Sequence, residues 1–322
     1  MHRICAARCP DGAAVSRFVA PSAVVPPIRS LLFVPGNRED RIRKAFASEA
    51  DAVVLDLESA TPTGELEGAR TICKRVIKEY GLAPAARRPS IFVRVAEARS
   101  PEQARDLEAV VHAGLAGLLL PQVALPRDVV ATDEALTRCE AAAGIELGRT
   151  RIMPLVESAS AVRMAFEIAS ASPRVAYMGG ATSRGGDLAR SIGFRFSAEG
   201  RETLFLRSKV LVDVRAAGIP NPLSGLWGRV DDLDGLRAFA EETRDLGYEG
   251  LMTIHPKQVP VVNAIFSPSA EEIGEWRRLI AAMEQAERAG QGAIRFEGRL
   301  VDAAHVATAH QRLERARRLG LE

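Results

Sequence analysis

From Ser30 onward the sequence alternates eight times between a short apolar run and a longer stretch with helical spacing. The apolar runs are Ser30 to Val34, Ala52 to Leu57, Ile91 to Val95, Gly117 to Leu120, Ile152 to Val156, Val175 to Met178, Gly218 to Asn221 and Gly250 to Ile254. Helical spacing marks Arg38 to Ala50, Glu65 to Tyr80, Pro101 to Ala113, Pro126 to Ala143, an interval after Ser158, Glu199 to Ala217 and Asp231 to Leu246. Strands alternating with helices predict a parallel sheet, and eight steps predict an α/β chain closed into a (β/α)₈ TIM barrel rather than an open doubly wound sheet. The weakest of the eight runs is Gly218 to Asn221.

With 322 residues and 47% hydrophobic content, the chain can bury one full core of this kind. A barrel needs only about 250 residues. Beyond the eighth run the chain reads as a long amphipathic helix over Pro268 to Ala289, a strand-like Ala293 to Glu297 and a charged helix over His305 to Leu319. The expected organisation is therefore a disordered extension over 1–28, a catalytic barrel over 29–266 and a C-terminal extension over 267–322. That last part would cover a barrel face, its own or a neighbouring subunit's.

Residues 1–28 lack the continuous apolar segment of a secretory signal, and no apolar run approaches the roughly 20 residues of a membrane span. Four scattered cysteines point to a reducing compartment, hence the cytoplasm, and Cys5 and Cys9 find no second pair to complete a metal site. Cys73 and Cys139 read as buried or half-buried thiols. A net charge of +2 gives no electrostatic footprint for nucleic acid.

Barrel enzymes place their chemistry at the carboxyl ends of the strands. Those positions hold Phe33-Val-Pro35-Gly36-Asn-Arg38, Asp56-Leu-Glu58, Arg94, Pro121-Gln122, Glu157, Gly179 to Asp187, Asn221 and His255-Pro-Lys257. Glu157 and Asp187 each follow an apolar run and can converge on one face, where two hard oxygen ligands with room for water describe a Mg²⁺ site. The alternative is that Glu157 caps the helix near Ser158 and Asp187 lies in a solvated loop. Arg94, between two valines, needs a partner. A substrate carboxylate gripped by both guanidinium arms would serve, and so would a salt bridge to Asp56 or Glu58.

The Gly180 to Asp187 run lacks the Lys-Ser/Thr ending of a phosphate-binding loop, and its glycines instead allow close backbone approach. His255, pinned before Pro256, is more often a structural histidine than a catalytic one. His305 and His310, five apart, share no helix face. No serine or cysteine stands in a nucleophile elbow.

Six segments together resemble the citrate lyase beta subunit-like branch of the hydroxyacid aldolase superfamily. They are Arg29 to Arg38, Asp51 to Glu58, Pro154 to Glu157, Gly186 to Gly193, Ile254 to Gln258 and Gly298 to Asp302. The resemblance spans Arg29 to about Leu319. It implies a (β/α)₈ barrel, a homotrimer or dimer of trimers, that makes or breaks carbon–carbon bonds beside an acyl-CoA thioester with Mg²⁺, or Mn²⁺ in its place. By motif it implies Glu157 and Asp187 as metal ligands and Arg94 as the arginine holding the keto-acid end. Phe33, Pro35, Gly36, Arg38 and His255 fall where the family meets CoA or substrate. Asp302 matches an acid supplied from the adjacent subunit, which would be the purpose of the C-terminal extension.

The implied reaction is a retro-Claisen cleavage of a 3-hydroxyacyl-CoA such as (S)-citramalyl-CoA or malyl-CoA, with Asp302 as proton shuttle and the general base unassigned. The sequence departs from the family pattern at Ser59, Gln122, Gly186, the lengthened 182–185 stretch and Asn221 to Trp227. These departures bear on which ester is the substrate. Alternatives are a malyl-CoA thioesterase, a citrate lyase beta subunit working on an acyl-carrier partner, and a barrel that only binds CoA.

Overall fold

The computed structural model describes residues 25–81, 89–180, 186–197 and 200–321, and its centre is a closed barrel of eight parallel strands in sequence order. The strands are β1 (Ser30–Pro35), β2 (Ala52–Asp56), β3 (Ser90–Arg94), β4 (Gly117–Leu120), β5 (Arg151–Val156), β6 (Tyr177–Gly180), β7 (Asn221–Leu226) and β8 (Gly250–Thr253). Pro35 pairs with Asp56 and Asp56 with Arg94, and β8 returns to β1 with Met252 beside Leu31. Between strands run α1 (Glu39–Phe46), α2 (Leu66–Tyr80), α3 (Pro101–Val110), α4 (Pro126–Ala143), α5 (Ala159–Arg163), α6 (Ala165–Ala169), α7 (Asp187–Ile192), α8 (Arg201–Ala216) and α9 (Leu233–Leu246). After β8 come α10 (Val259–Ile265) and α11 (Ala270–Arg288), then a hairpin of β9 (Ala293–Phe296) and β10 (Arg299–Asp302), and α12 (Ala303–Arg318).

Alternation along each strand splits the core in two. Leu31, Val54, Phe92, Leu155 and Met252 fill the barrel interior, whereas Leu32, Leu55, Val93, Val156 and their like pack outward against the helices. β1 to β5 are thus apolar on both faces, which is why they read as apolar runs. No described helix is long and apolar enough to cross a membrane.

The seventh strand is where the sequence misleads. It begins at Asn221 rather than ending there, and its Asn-Pro-Leu-Ser-Gly-Leu composition lacks a strand signal. Tight packing explains the small residues around it: a Cβ on Gly179 in β6 would lie 1.3 Å from the Leu223 carbonyl oxygen. Asn221 accordingly sits at the amino end of the barrel, where its side chain bonds both the amide (2.9 Å) and the carbonyl (3.1 Å) of Ile28. Ile28 and Val25, expected within a disordered extension, are buried in the barrel core. Residues 1–24, with Cys5 and Cys9, the 181–185 loop and Glu199 lie outside the described residues.

The C-terminal extension has an apolar cluster of its own, Ile273, Trp276, Leu279, Val301, Ala309 and Ala316. It is anchored on its own barrel: Arg315 of α12 donates to the Glu249 carbonyl at 2.7 Å and to Asn221 at 3.2 Å and pairs with the Glu249 carboxylate.

Candidate active site at the carboxyl ends of the strands

Period-two alternation places the polar residues. Leu31, Val54, Phe92 and Leu155 point into the barrel, so two residues further on Phe33, Asp56, Arg94 and Glu157 face the same way at the carboxyl mouth. All four line one cavity of about 270 Å³, which Asp187, at the start of α7, also lines. Larger hollows exist, one of about 720 Å³ beside Ser90 and Arg151, but these residues begin their strands and so mark the opposite rim.

Asp56 and Arg94 form the fixed part of the site. Arg94 Nε donates to Asp56 Oδ1 at 2.7 Å and its Nη2 to Asp56 Oδ2, while Nη1 lies 3.1 Å from Glu58. Asp56, 1% exposed, also accepts from the amides of Glu58 (2.9 Å) and Ala60 (3.0 Å). The Phe33 ring stands 5.2 Å from the guanidinium carbon. Of the two partners the sequence left open for Arg94, the structure provides the carboxylates. The arm through Nε and Nη2 is occupied by Asp56, so a two-armed grip on a substrate is not the arrangement, and Nη1 is the arm nearest the Glu58 side.

Glu157 is held differently. Its Oε2 accepts from the amide of Gln122 at 3.0 Å, an amide aimed there by a left-handed backbone at Gln122 (φ 52°). Burial raises the Glu157 pKa, opposed by the Gln122 amide and Arg94 and reinforced by Asp187 and Glu58. Glu157 is not the cap of the following helix, because Ser158 accepts from Ala161 N in that role. Asp187, more exposed, pairs with Arg190 at 2.6 Å. Among the described residues no three His, Cys, Asp or Glu side chains form a ready-made metal cage; two carboxylates on a cavity wall leave most of a coordination sphere open.

The remaining predicted residues stand apart from the cavity wall. Gly36 abuts β2, its amide donating to the Asp56 carbonyl at 2.9 Å, and a Cβ there would come within 2.8 Å of that oxygen. Pro35 ends β1 beside it. Arg38 is exposed and pairs with Asp40 at 3.2 Å. His255 caps a short 3₁₀ turn, its Nδ1 accepting from Lys257 N at 3.1 Å, which is the structural role. Asp302 caps α12, exposed, with His305 Nδ1 at 2.7 Å; that bond lowers its pKa. Alternation along Ala52 to Asp56 marks Asp56 as inward-facing. The contributions of Gly225 and Leu226 to the wall were hidden by the misplaced seventh strand.

Comparison with known proteins agrees with this fold. The HpcH/HpaI aldolase/citrate lyase family model matches residues 29–256. The chain is 31% identical to the citrate lyase subunit beta of Haemophilus influenzae, covering 90% of this chain and 97% of the relative. It is 34% identical to a (3S)-malyl-CoA thioesterase of Cereibacter sphaeroides, covering 90% and 95%. Among solved structures it resembles the CitE protein of Mycobacterium tuberculosis in complex with magnesium, acetoacetate and coenzyme A, with a TM-score of 0.68, 29% identity and coverage of 91% and 98%. The chain belongs to the HpcH/HpaI aldolase/citrate lyase family.

Proposed function

We propose that the protein is a carbon–carbon lyase that splits a 3-hydroxyacyl-CoA, (S)-citramalyl-CoA or malyl-CoA, into acetyl-CoA and pyruvate or glyoxylate. The observation that carries this reading is the meeting of Glu157, Asp187 and the Asp56–Arg94 pair around one cavity at the carboxyl face. The residues fit a divalent cation. Among the described residues Asp56, Glu58, Glu157 and Asp187 outnumber the guanidinium of Arg94, and a cation would offset the cost of holding Glu157 ionised in a buried place, which raises its pKa. Glu157 and Asp187 would hold Mg²⁺, or Mn²⁺ in its place, as the magnesium-bound relative supports. When bound, the cation supplies Lewis-acid polarisation of the substrate's hydroxyl and carboxylate oxygens.

The chain's own groups would do the rest. Arg94, fixed by Asp56, offers its Nη1 side to the keto-acid carboxylate. Phe33 closes the wall beside it, and the Pro35-Gly36 turn with the exposed Arg38 and His255 would border the CoA arm. In the cleavage the hydroxyl proton passes to a base, the carbon–carbon bond electrons move into the thioester enolate, and the enolate carbon takes up a proton. Asp302 of a neighbouring subunit in a homotrimer or dimer of trimers is the proposed donor of that proton. In the isolated chain His305 holds Asp302 ionised, so the role requires burial in the assembled site to outweigh that bond.

A second reading, hydrolysis of the malyl-CoA thioester, is favoured by the relative of that name. One assay separates the two: cleavage of (S)-citramalyl-CoA and (S)-malyl-CoA with Mg²⁺ present or chelated, following keto acid and free thiol separately. Keto acid without thiol is the expected result. Thiol without keto acid establishes the thioesterase instead, and neither product overturns both.

A further inference from the structure

The barrel has a second cavity that the proposed chemistry does not use. It measures about 490 Å³ and is bounded by α8, α9 and the residues after β7, with Phe196, Arg207, Trp227, Arg229, Phe239 and Glu242 in its wall. The side chain of Arg207 is 1% exposed, yet its one carboxylate contact among the described residues is Nη2 to Glu242 at 2.6 Å. Among the described residues its buried Nε and Nη1 have no hydrogen-bond partner, and neither has the buried indole Nε1 of Trp227. Buried polar groups are almost always satisfied, and a guanidinium left two nitrogens short of acceptors is unfavourable in an empty wall.

Charge and shape agree on what would satisfy it. Glu242 is the only carboxylate among the described lining residues, against the two guanidinium groups of Arg207 and Arg229, so the wall favours an anion. The Phe239 ring lies 5.8 Å from the Arg207 guanidinium carbon and 5.8 Å from the Trp227 ring, leaving flat apolar surfaces beside the cation. The volume is that of a small-molecule site. We infer that this cavity binds a small free organic anion, its carboxylate accepting from Arg207 and its planar apolar body lodged among Phe196, Trp227 and Phe239. Among the described residues only Leu226 is common to this wall and that of the Glu157 cavity, so occupancy can be read without the lyase reaction.

The test uses the full chain carrying Trp276→Phe, which leaves Trp227 as the single indole of two. Phenylacetate is titrated against its neutral isostere phenylacetamide while Trp227 emission is followed, with no metal or CoA present. A saturable change with phenylacetate is expected, weaker by roughly tenfold or more for phenylacetamide and for Arg207→Met, because each removes the charge-assisted bond. Ala238→Phe, from an exposed position in the cavity wall, should also weaken binding while leaving Arg207 in place, and it decides the matter if Arg207→Met does not fold. No saturable response to phenylacetate, equal affinity for phenylacetamide, or undiminished affinity in the folded variants overturns the inference.

Discussion

Glu157 shows how one side chain can serve a site at the expense of the fold. Its carboxyl is pushed above the ordinary 4.5 first by burial and then by the nearby Asp187 and Glu58, against the pull of the Gln122 amide and Arg94. The unfolded chain releases that proton near 4.5, so above the raised pKa the folded state carries a charge it holds less well than the unfolded chain does. Below 4.5 both states are protonated and the penalty disappears. Glu157→Gln should therefore raise the Tm of the chelator-treated protein at pH 8, and the gain should fade as the pH is lowered towards 4.5; a gain of equal size at both ends contradicts this account. The same substitution should remove most Mg²⁺-dependent turnover and weaken Mg²⁺ binding measured by calorimetry. Arg94 behaves in the opposite sense: truncating it to Ala leaves the buried Asp56 without its counter-charge and should lower stability by about 3 kcal/mol or more in denaturant titration.

At the level of elements, closure of the barrel depends on β6 and β7, the two strands with the least strand-like sequences. Gly179 lies flat against Leu223, and a methyl group there would overlap the carbonyl oxygen at 1.3 Å. Relief requires moving one strand away from the other, which opens the barrel seam and carries Gly180 and the start of α7 with it. Gly179→Ala should thus cost several kcal/mol, on the scale of a severe overpacking error, and read out as a loss of soluble protein or a Tm lowered well beyond that of an exposed control such as Gly64→Ala. Next to that contact, Pro222 of β7 accepts from Glu249 N at 2.9 Å.

For the molecule as a whole, the extension joins the barrel at the rim opposite the cavity. Arg315, half-buried beside Asn221 and Glu249, is its main polar anchor, and desolvation lowers its pKa although the Glu249 charge works the other way. Arg315→Ala should weaken the seating of α12 by about 1–3 kcal/mol, visible as faster proteolysis of the extension with the barrel left intact. Because α12 is seated at the amino-terminal rim, Asp302 at its start is not part of its own chain's cavity wall. Sharing across subunits makes a prediction that a single-chain role does not. Asp302→Asn and Glu157→Gln proteins, each inactive alone, should regain part of the activity when mixed under conditions of subunit exchange. Glu157→Gln suits this better than an Arg94 variant, which would disturb folding as well. No recovery after exchange has been verified by mass measurement would refute sharing.

The closed α/β barrel is legible from the amino-acid order, because the alternation of buried strands and amphipathic helices is a local property repeated eight times over. So is the rim that carries the carboxylates, since parallel strands share one carboxyl end and period-two alternation then sends Asp56, Arg94 and Glu157 inward together. The boundaries of β7 are not: the strand is specified by the close approach of Gly179 and Leu223, a contact between segments some forty residues apart that no propensity records. Folding in three dimensions is what clamps Arg94 on Asp56, turns the Gln122 amide to Glu157, takes Val25 and Ile28 into the core, and buries Arg207 short of acceptors. Each of these depends on distances between side chains remote in sequence, and those distances exist only once the barrel has closed.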